Sequence, residues 1–265
     1  MVSKSLELPD GYQRQEWYPR VQTFNKAAGT EVHIDTGRLL RQALEESPNA
    51  TVFTYTQHQI FYEDGVYKQT RSSPNWEGGI VTYATCKHRM RTFKRRSWRG
   101  VWIMGLCPKA CNDNAVLFCG RVYKQFPHNL ALSKWIKSVD REAYNAKRAD
   151  LNPRGDLYTP LRQAASRPHS HRSYREPPNH TRSVEFYDKS PGSRSTRKDG
   201  KIPKWYRDLE YVGANGTRPP VFVLSPCWVF TGRGSVGVLH TRQRPGRATL
   251  RSTGQNVASS LVIGR

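Results

Sequence analysis

Residues 80–106 read IVTYATCKHRMRTFKRRSWRGVWIMGL, and residues 115–122 read AVLFCGRV. This stretch contains three apolar runs, Ile80–Cys86, Val101–Leu106 and Ala115–Val122, with the length and the β-branched and aromatic content of buried strands. A dense basic segment, Lys87 to Arg99, separates the first two runs. Predicted strands that flank a cationic, aromatic-bearing loop indicate a functional site as well as a core.

Further elements are predicted on both sides of this stretch. Thr51–Thr56 has the composition of another strand, and Val221–Leu224 and Trp228–Phe230 have that of late strands. Leucine and alanine at helical spacing after Thr36 predict a short helix that ends before Pro48.

Residues 128–148 have the clearest helical pattern of the chain. Its apolar stripe comprises Leu132, Trp135, Ile136, Val139 and Ala143, and its opposite face carries Lys134, Lys137, Arg141 and Lys147. We therefore predict an α+β domain with a curved mixed or antiparallel sheet or a small barrel, one main packed helix and disordered basic insertions.

Composition divides the chain into regions. We predict an N-terminal extension over residues 1–50, the α+β domain over residues 51–232 and a basic tail over residues 233–265. Residues 160–204 are rich in Arg, Ser, Pro, His and Gly, and such a segment buries too little apolar surface to order itself. This segment is predicted to be a flexible insertion.

The charge balance points to a polyanionic partner. The 265 residues carry a formal net charge of +22, which favours nucleic acid first and an anionic membrane surface second. No apolar run reaches the length of a membrane span, and residues 1–11 lack the apolar region of a signal peptide. We expect an intracellular protein, nuclear if the host is eukaryotic, with DNA as the first candidate partner and no membrane association.

The basic segment supplies the candidate contacts to nucleic acid. Its cations suit phosphate oxygens and aromatic side chains suit exposed bases, although a charge run is often only a solvated face. The candidate phosphate-binding residues are Lys87, Arg89, Arg91, Lys94, Arg95, Arg96 and Arg99. The stacking candidates are Trp76, Phe93 and Trp98.

Metal and catalytic motifs give little support to an enzyme. The cysteines lack the paired spacing of common zinc sites, and no nucleophile elbow, phosphate-binding loop or dinucleotide fingerprint occurs. We predict no metal and no cofactor, and catalytic residues stay open. Asp156 is the one carboxylate in a distinctive context, Asn152–Tyr158, and its simpler role is to accept hydrogen bonds from loop amides.

Four motifs in order resemble the nucleotide-modification-associated domains, with the second such family as the nearest match. They are P-N-x-x-G-G-x-x-T-x-A-x-C-K-x-x-x-R from Pro74, W-I-x-G-L from Trp102, G-D-x-Y from Gly155 and V-L-S-P-x-W-x-F-x-G from Val223. The resemblance covers roughly Thr51–Asp156 and Val221–Gly232. It implies an α+β domain that works with DNA base hypermodification systems.

The family motifs also imply positions for a site. They fall on Pro74, Asn75, Gly79, Thr82, Cys86, Lys87, Arg91, Asp156, Tyr158, Trp228, Phe230 and Gly232. Two positions depart from the family, since His88 stands where proline is usual and Val101 stands where aspartate is usual. The loss of that aspartate weakens an enzymatic interpretation.

We expect the implied residues to form a polar pocket for a flipped or modified base. The pocket residues are Pro74, Asn75, Gly79, Thr82, Cys86, Lys87 and Asp156. The alternatives are an enzyme that makes or edits a hypermodified base, with Lys87, Asp156 and Cys86 as candidates, and a structural binder that uses charge alone. The simpler interpretations are an ordinary turn at Pro74–Gly79 and a small buried hydrophobe at Cys86.

Overall fold

The structure is a computed structural model in which one large sheet is the central element. It describes residues 24–34, 37–56, 60–63, 66–69, 74–85, 87–106, 116–152, 155–177, 186–188, 201–230, 237–238 and 250–262.

Strands and helices are numbered here in chain order. The strands are β1 Phe24–Asn25, β2 Thr30–Ile34, β3 Thr51–Thr56, β4 Ile60–Glu63, β5 Val66–Gln69, β6 Val81–Tyr83, β7 Trp102–Leu106, β8 Val116–Phe126, β9 Phe186–Asp188, β10 Lys201–Pro203, β11 Val221–Val229, β12 Gly237–Val238, β13 Leu250–Thr253 and β14 Leu261–Val262. The helices are α1 Gly37–Glu45, α2 His88–Arg91, α3 Asn129–Val139, α4 Arg141–Lys147, α5 Lys204–Glu210 and α6 Gly254–Ser260.

The main sheet has eight strands and is mixed and open. Its order is β1-β2-β11-β8-β7-β3-β13, and β6 also pairs with β11. The β2–β11 and β3–β7 pairs are parallel, whereas the remaining pairs of this sheet are antiparallel. The predicted α+β class with a mixed sheet is confirmed. The small barrel offered as an alternative is not formed, because the sheet does not close.

The alternation of side chains along each strand gives the sheet two covered faces. One face, here the aromatic face, contains Phe53, Tyr83 and Phe222 and is covered by Met90 and Trp98 of the basic segment. The opposite face, here the helical face, packs against α1 and α6 at one end and against α3 and α4 at the other. The basic segment therefore covers part of the aromatic face.

The predicted strands of the central stretch are present with shifted ends. The first strand is Val81–Tyr83, the second is Trp102–Leu106 and the third runs on to Phe126. Thr51–Thr56 forms a strand with the predicted bounds. Cys86 and Ala115 lie outside the described residues.

The predicted helix over residues 128–148 is two helices, because Asp140 interrupts it. Asp140 has extended backbone angles, and its carboxylate accepts hydrogen bonds from the Ala143 amide at 2.8 Å and from Asn25 Nδ2 at 2.7 Å. An aspartate that caps a second helix ends the first one, since the N-cap residue is not helical. Leu132 and Ile136 still pack on the sheet as predicted.

The predicted region boundaries need correction on both sides of the domain. Residues 24–50 are not a separate extension, because β2 pairs with β11 and Leu40 and Leu44 of α1 are buried on the sheet. Residues 160–177 are not a flexible insertion, because Ala164 and Tyr174 pack with Trp205 of α5. Residues 178–185 and 189–200 lie outside the described residues.

The predicted basic tail is also partly wrong. Strand β13 pairs with β3, and Val257 and Ala258 of α6 are buried against α1 and the sheet. Residues 250–262 are therefore an edge of the domain itself. Across the described part of the chain, no helix combines the length and the apolar character that a membrane crossing requires.

Candidate nucleic-acid interface

The basic segment is fastened to the aromatic face by the residues that point inward. Met90 and Trp98 are 2% and 3% exposed. Arg91 is fully buried, where its Nη1 donates a hydrogen bond of 2.6 Å to the Pro220 carbonyl oxygen and its guanidinium lies over the Tyr83 ring. These contacts hold the segment in a single position on the sheet.

His88 adds a buried polar anchor at the start of the segment. Its Nε2 lies 2.7 Å from Oδ1 of Asp208 in α5, and the Tyr158 hydroxyl donates a 2.7 Å hydrogen bond to Oδ2 of the same carboxylate. Burial lowers the pKa of His88, while Asp208 opposes that shift. Helix α5 is thereby tied to the base of the basic segment.

These anchors correct several predicted contacts. Arg91 cannot reach phosphate, because its side chain is buried and already bonded to a carbonyl oxygen. Trp76 and Trp98 cannot stack on a base, because both rings are packed in the core of the aromatic face. Arg91 and Trp98 were assigned to the surface because a dense basic run gives no sign of which of its residues point inward, and Trp76 was assigned there because its loop was expected to be open.

The outward residues of the segment are available to a ligand. Arg89, Lys94, Arg96 and Arg99 are exposed, and within the described part of the chain no acidic side chain forms an ion pair with any of them. Phe93 is 52% exposed. A group of cations without acidic neighbours is suited to a polyanion.

Arg95 lies between the core and this exposed group. Its guanidinium is 5.7 Å from the centre of the Trp98 ring, and its Nη1 donates to Thr51 Oγ1 at 3.3 Å. Partial burial lowers its pKa, and Arg251 lowers it further.

The fold adds one cation that the sequence analysis missed. Arg251 of β13 is opposite Phe53 in the sheet register, so it joins Arg95 on the aromatic face. We call the set Arg89, Lys94, Arg95, Arg96, Arg99 and Arg251, together with Phe93, the basic surface.

Three of the predicted pocket residues, Asn75, Thr82 and Asp156, lie in a sealed cluster. Lys147 of α4 was assigned to the solvent face of its helix, yet it is fully buried and is the centre of this cluster. Its Nζ donates to Asn75 Oδ1 at 2.7 Å, to the Asn75 carbonyl oxygen at 2.9 Å and to Thr82 Oγ1 at 3.1 Å. Asn75, Thr82 and Asp156 therefore lie together around a lysine that was not predicted.

Burial and mutual attraction set the charges of this cluster. Burial raises the pKa of Asp156 to about 6, and the positive charge of Lys147 opposes that shift. Burial lowers the pKa of Lys147 to about 8, and Asp156 and Glu77 oppose that shift. The pair is held together because each charge compensates part of the other's loss of water.

The loop Pro74–Gly79 is packed rather than open. Pro74 is buried, and the Gly79 carbonyl oxygen accepts a 3.2 Å hydrogen bond from Thr30 Oγ1. Gly78 has a φ of 68°, and a Cβ atom there would lie 2.5 Å from the Ala143 Cα atom. The loop therefore joins β2, β6 and α4 at close range and leaves its polar groups inside the protein.

Lys87 belongs to the other side of the sheet. Its Nζ is 4.6 Å from the centre of the Tyr55 ring, which lies on the aromatic face, whereas Thr82 points to the helical face between Val81 and Tyr83. Lys87 and Asp156 therefore do not share a pocket. Cys86 lies outside the described residues.

Comparisons of the chain with protein-family models, with curated proteins and with solved structures found no match. The resemblance to the nucleotide-modification-associated domains stays a prediction from the motifs.

Proposed function

We propose that the protein binds nucleic acid, with DNA as the first candidate, through the basic surface. The observation that carries the proposal is the group of exposed cations that form no ion pair with an acidic side chain among the described residues, and Arg251 joins this group from a distant strand. Like charges repel, so the fold keeps them together at a cost that an anionic ligand removes.

Phosphate contact is the chemistry that this surface supports best. Arginine presents a planar set of donors that matches phosphate oxygens, and arginine dominates the set. The net charge of +22 adds long-range attraction over the whole molecule. Binding of this kind releases counterions, so affinity falls as salt concentration rises.

Recognition of a modified base rests on the family resemblance. The cluster predicted to hold the base is filled by Lys147, and Thr82 and Asp156 are fully buried with it. Modified DNA remains a ligand to include in the binding panel, alongside plain DNA and RNA. The cluster supports the loop and helix α4.

The test is a salt series with two matched double variants. Arg96→Ala with Arg251→Ala removes two charges from the basic surface, and Arg162→Ala with Arg167→Ala removes two exposed charges elsewhere. The first variant should lower affinity and flatten the slope of log K against log salt by about one to two units. The second should change the slope much less.

Three outcomes would contradict the proposal. Absence of binding to any plain or modified DNA or RNA oligonucleotide at low salt would remove the function. Equal effects of the two double variants would show that attraction is spread over the molecule and that the basic surface has no special role. Tighter binding to vesicles of an anionic phospholipid than to oligonucleotides would assign the surface to a membrane instead.

A further inference from the structure

Phe93 is the outer end of a column of aromatic rings. Its ring stacks on Phe53 with centroids 5.7 Å apart and an angle of 20° between the planes. Phe53 in turn contacts Trp98 at 5.2 Å, and Trp98 contacts Phe222 at the same distance. The three inner rings are buried, so one side of the Phe93 ring rests on the core.

Folding does not explain why the outer side of the Phe93 ring is exposed. A phenylalanine that is half exposed forfeits part of the stabilisation that burial would give it. Phe93 is one of few large apolar side chains that are exposed in the described part of the chain, and it lies within the basic segment. A flat apolar ring surrounded by cations is the arrangement with which proteins hold nucleic-acid bases.

Two cations lie beside the inner rings of the column. Arg95 lies over Trp98, and Arg251 is opposite Phe53 in the sheet. Arg95 is further positioned by its hydrogen bond to Thr51. Stacking and phosphate contact are therefore available at one place on the surface.

We propose that Phe93 is a stacking platform for an unpaired base, so that the basic surface selects single-stranded over double-stranded nucleic acid. This inference rests on the proposed function and adds the class of substrate. Bases in a duplex are already stacked on their neighbours, and reaching Phe93 would require the cost of removing one from the helix. Unpaired bases reach the ring without that cost.

The experiment measures the affinity of a single-stranded oligonucleotide and of the duplex of the same length for four proteins. These are the wild type, Phe93→Ala, Phe93→Trp and the variant with Arg96→Ala and Arg251→Ala. Phe93→Ala should weaken single-strand binding roughly 5- to 100-fold and duplex binding far less, since one base loses its stacking partner. Phe93→Trp should retain the preference because it keeps a flat ring.

A fluorescent base analogue separates stacking from charge. An oligonucleotide with 2-aminopurine at one position should lose fluorescence on binding to the wild type and to Phe93→Trp, because stacking on an aromatic ring quenches it. The Phe93→Ala protein should leave the fluorescence higher at full occupancy. Thermal unfolding of all variants checks that the ring column still forms.

The outcomes distinguish this inference from the function on which it rests. If the arginine variant weakens binding and Phe93→Ala affects single strand and duplex equally, the function stands and the platform is wrong. If the wild type binds neither probe, the proposed function fails first. If Phe93→Ala lowers only the binding of anionic vesicles, the ring is a membrane contact and the inference is wrong.

Discussion

Lys147 is the residue whose position differs most from the one predicted. The prediction placed it on the solvent face with the other lysines of this region. It is four residues after Ala143 and eleven after Ile136, spacings that put it beside the apolar stripe of a helix and not opposite to it. Its burial against Asn75 and Thr82 therefore agrees with its helical position, and only its charge pointed to solvent.

The Lys147–Asp156 pair should behave as one unit in unfolding experiments. Lys147→Met leaves the Asp156 carboxylate without its counter-charge, and we expect a loss of about 3–5 kcal/mol of unfolding free energy. Adding Asp156→Leu to this variant should recover a large part of the loss, because no unpaired charge then remains. Urea denaturation of both variants measures their unfolding free energies.

The matched control for this prediction is Lys137→Met, which removes an exposed charge from α3 and should change stability by about 0.5 kcal/mol or less. Purely additive effects of the Lys147 and Asp156 substitutions would show that the two charges are not coupled.

The same pair predicts a pH dependence with a defined sign. Asp156 binds its proton more tightly in the folded state, so its contribution to stability falls as pH rises from its ordinary value of 3.8 to about 6. Lys147 binds its proton less tightly when folded, so its contribution falls as pH decreases from 10.5 to about 8.

Comparison of wild type with Lys147→Met/Asp156→Leu cancels the other titrating groups. The unfolding free energy of the wild type, relative to that of this variant, should be lowest between about pH 6 and 8. This difference should rise by about 1–3 kcal/mol toward pH 4. A difference in stability between the two proteins that stays constant from pH 4 to pH 10 would contradict the two pKa shifts.

At the scale of elements, the sequence predicted best where packing on both faces demands a continuous apolar run. Val221–Leu224, Trp102–Leu106 and Thr51–Thr56 are such runs, and each forms a strand of the main sheet. Strand β13 has no comparable signal, since Leu250 is the one large apolar residue in it. Its place is decided by pairing with β3, which no local pattern reports.

The junction of α1 and α6 depends on Gly254. A Cβ atom at Gly254 would lie 2.2 Å from the Ser47 carbonyl oxygen, and the Gly254 amide donates to the Ala50 carbonyl oxygen at 2.9 Å. We expect Gly254→Ala to cost about 1–3 kcal/mol, although alanine favours a helix, because backbone must move.

Hydrogen exchange of the β13 amides is the measurement, and neighbouring exposed Gln255→Ala is the control. Gly254→Ala should speed exchange in β13 and leave the central strands slow. Equal protection of the β13 amides in Gly254→Ala and Gln255→Ala would mean that the junction accommodates the added methyl group without strain.

At the scale of the whole molecule, the sequence predicted the composition of the site better than its geometry. The exposed cations and Phe93 follow from the basic segment alone, and Asn75, Thr82 and Asp156 were expected to meet. Their role as an enclosed cluster was not predicted, because the motifs contain no sign of Lys147 beside them. Burial and partners depend on contacts between distant segments, which a single sequence leaves undetermined.

Strand β11 lies between β2 and β8 and also pairs with β6, yet it comes late in the chain. A ribosome therefore finishes the earlier strands well before the strand that joins them exists. Until Val221–Val229 emerges, β6 lacks the strand with which it pairs, and β8 is paired on one side only, with β7. Unpaired strand edges are consequently exposed in the nascent protein until β11 is made, and we expect a chaperone that shields them to raise the yield of folded protein.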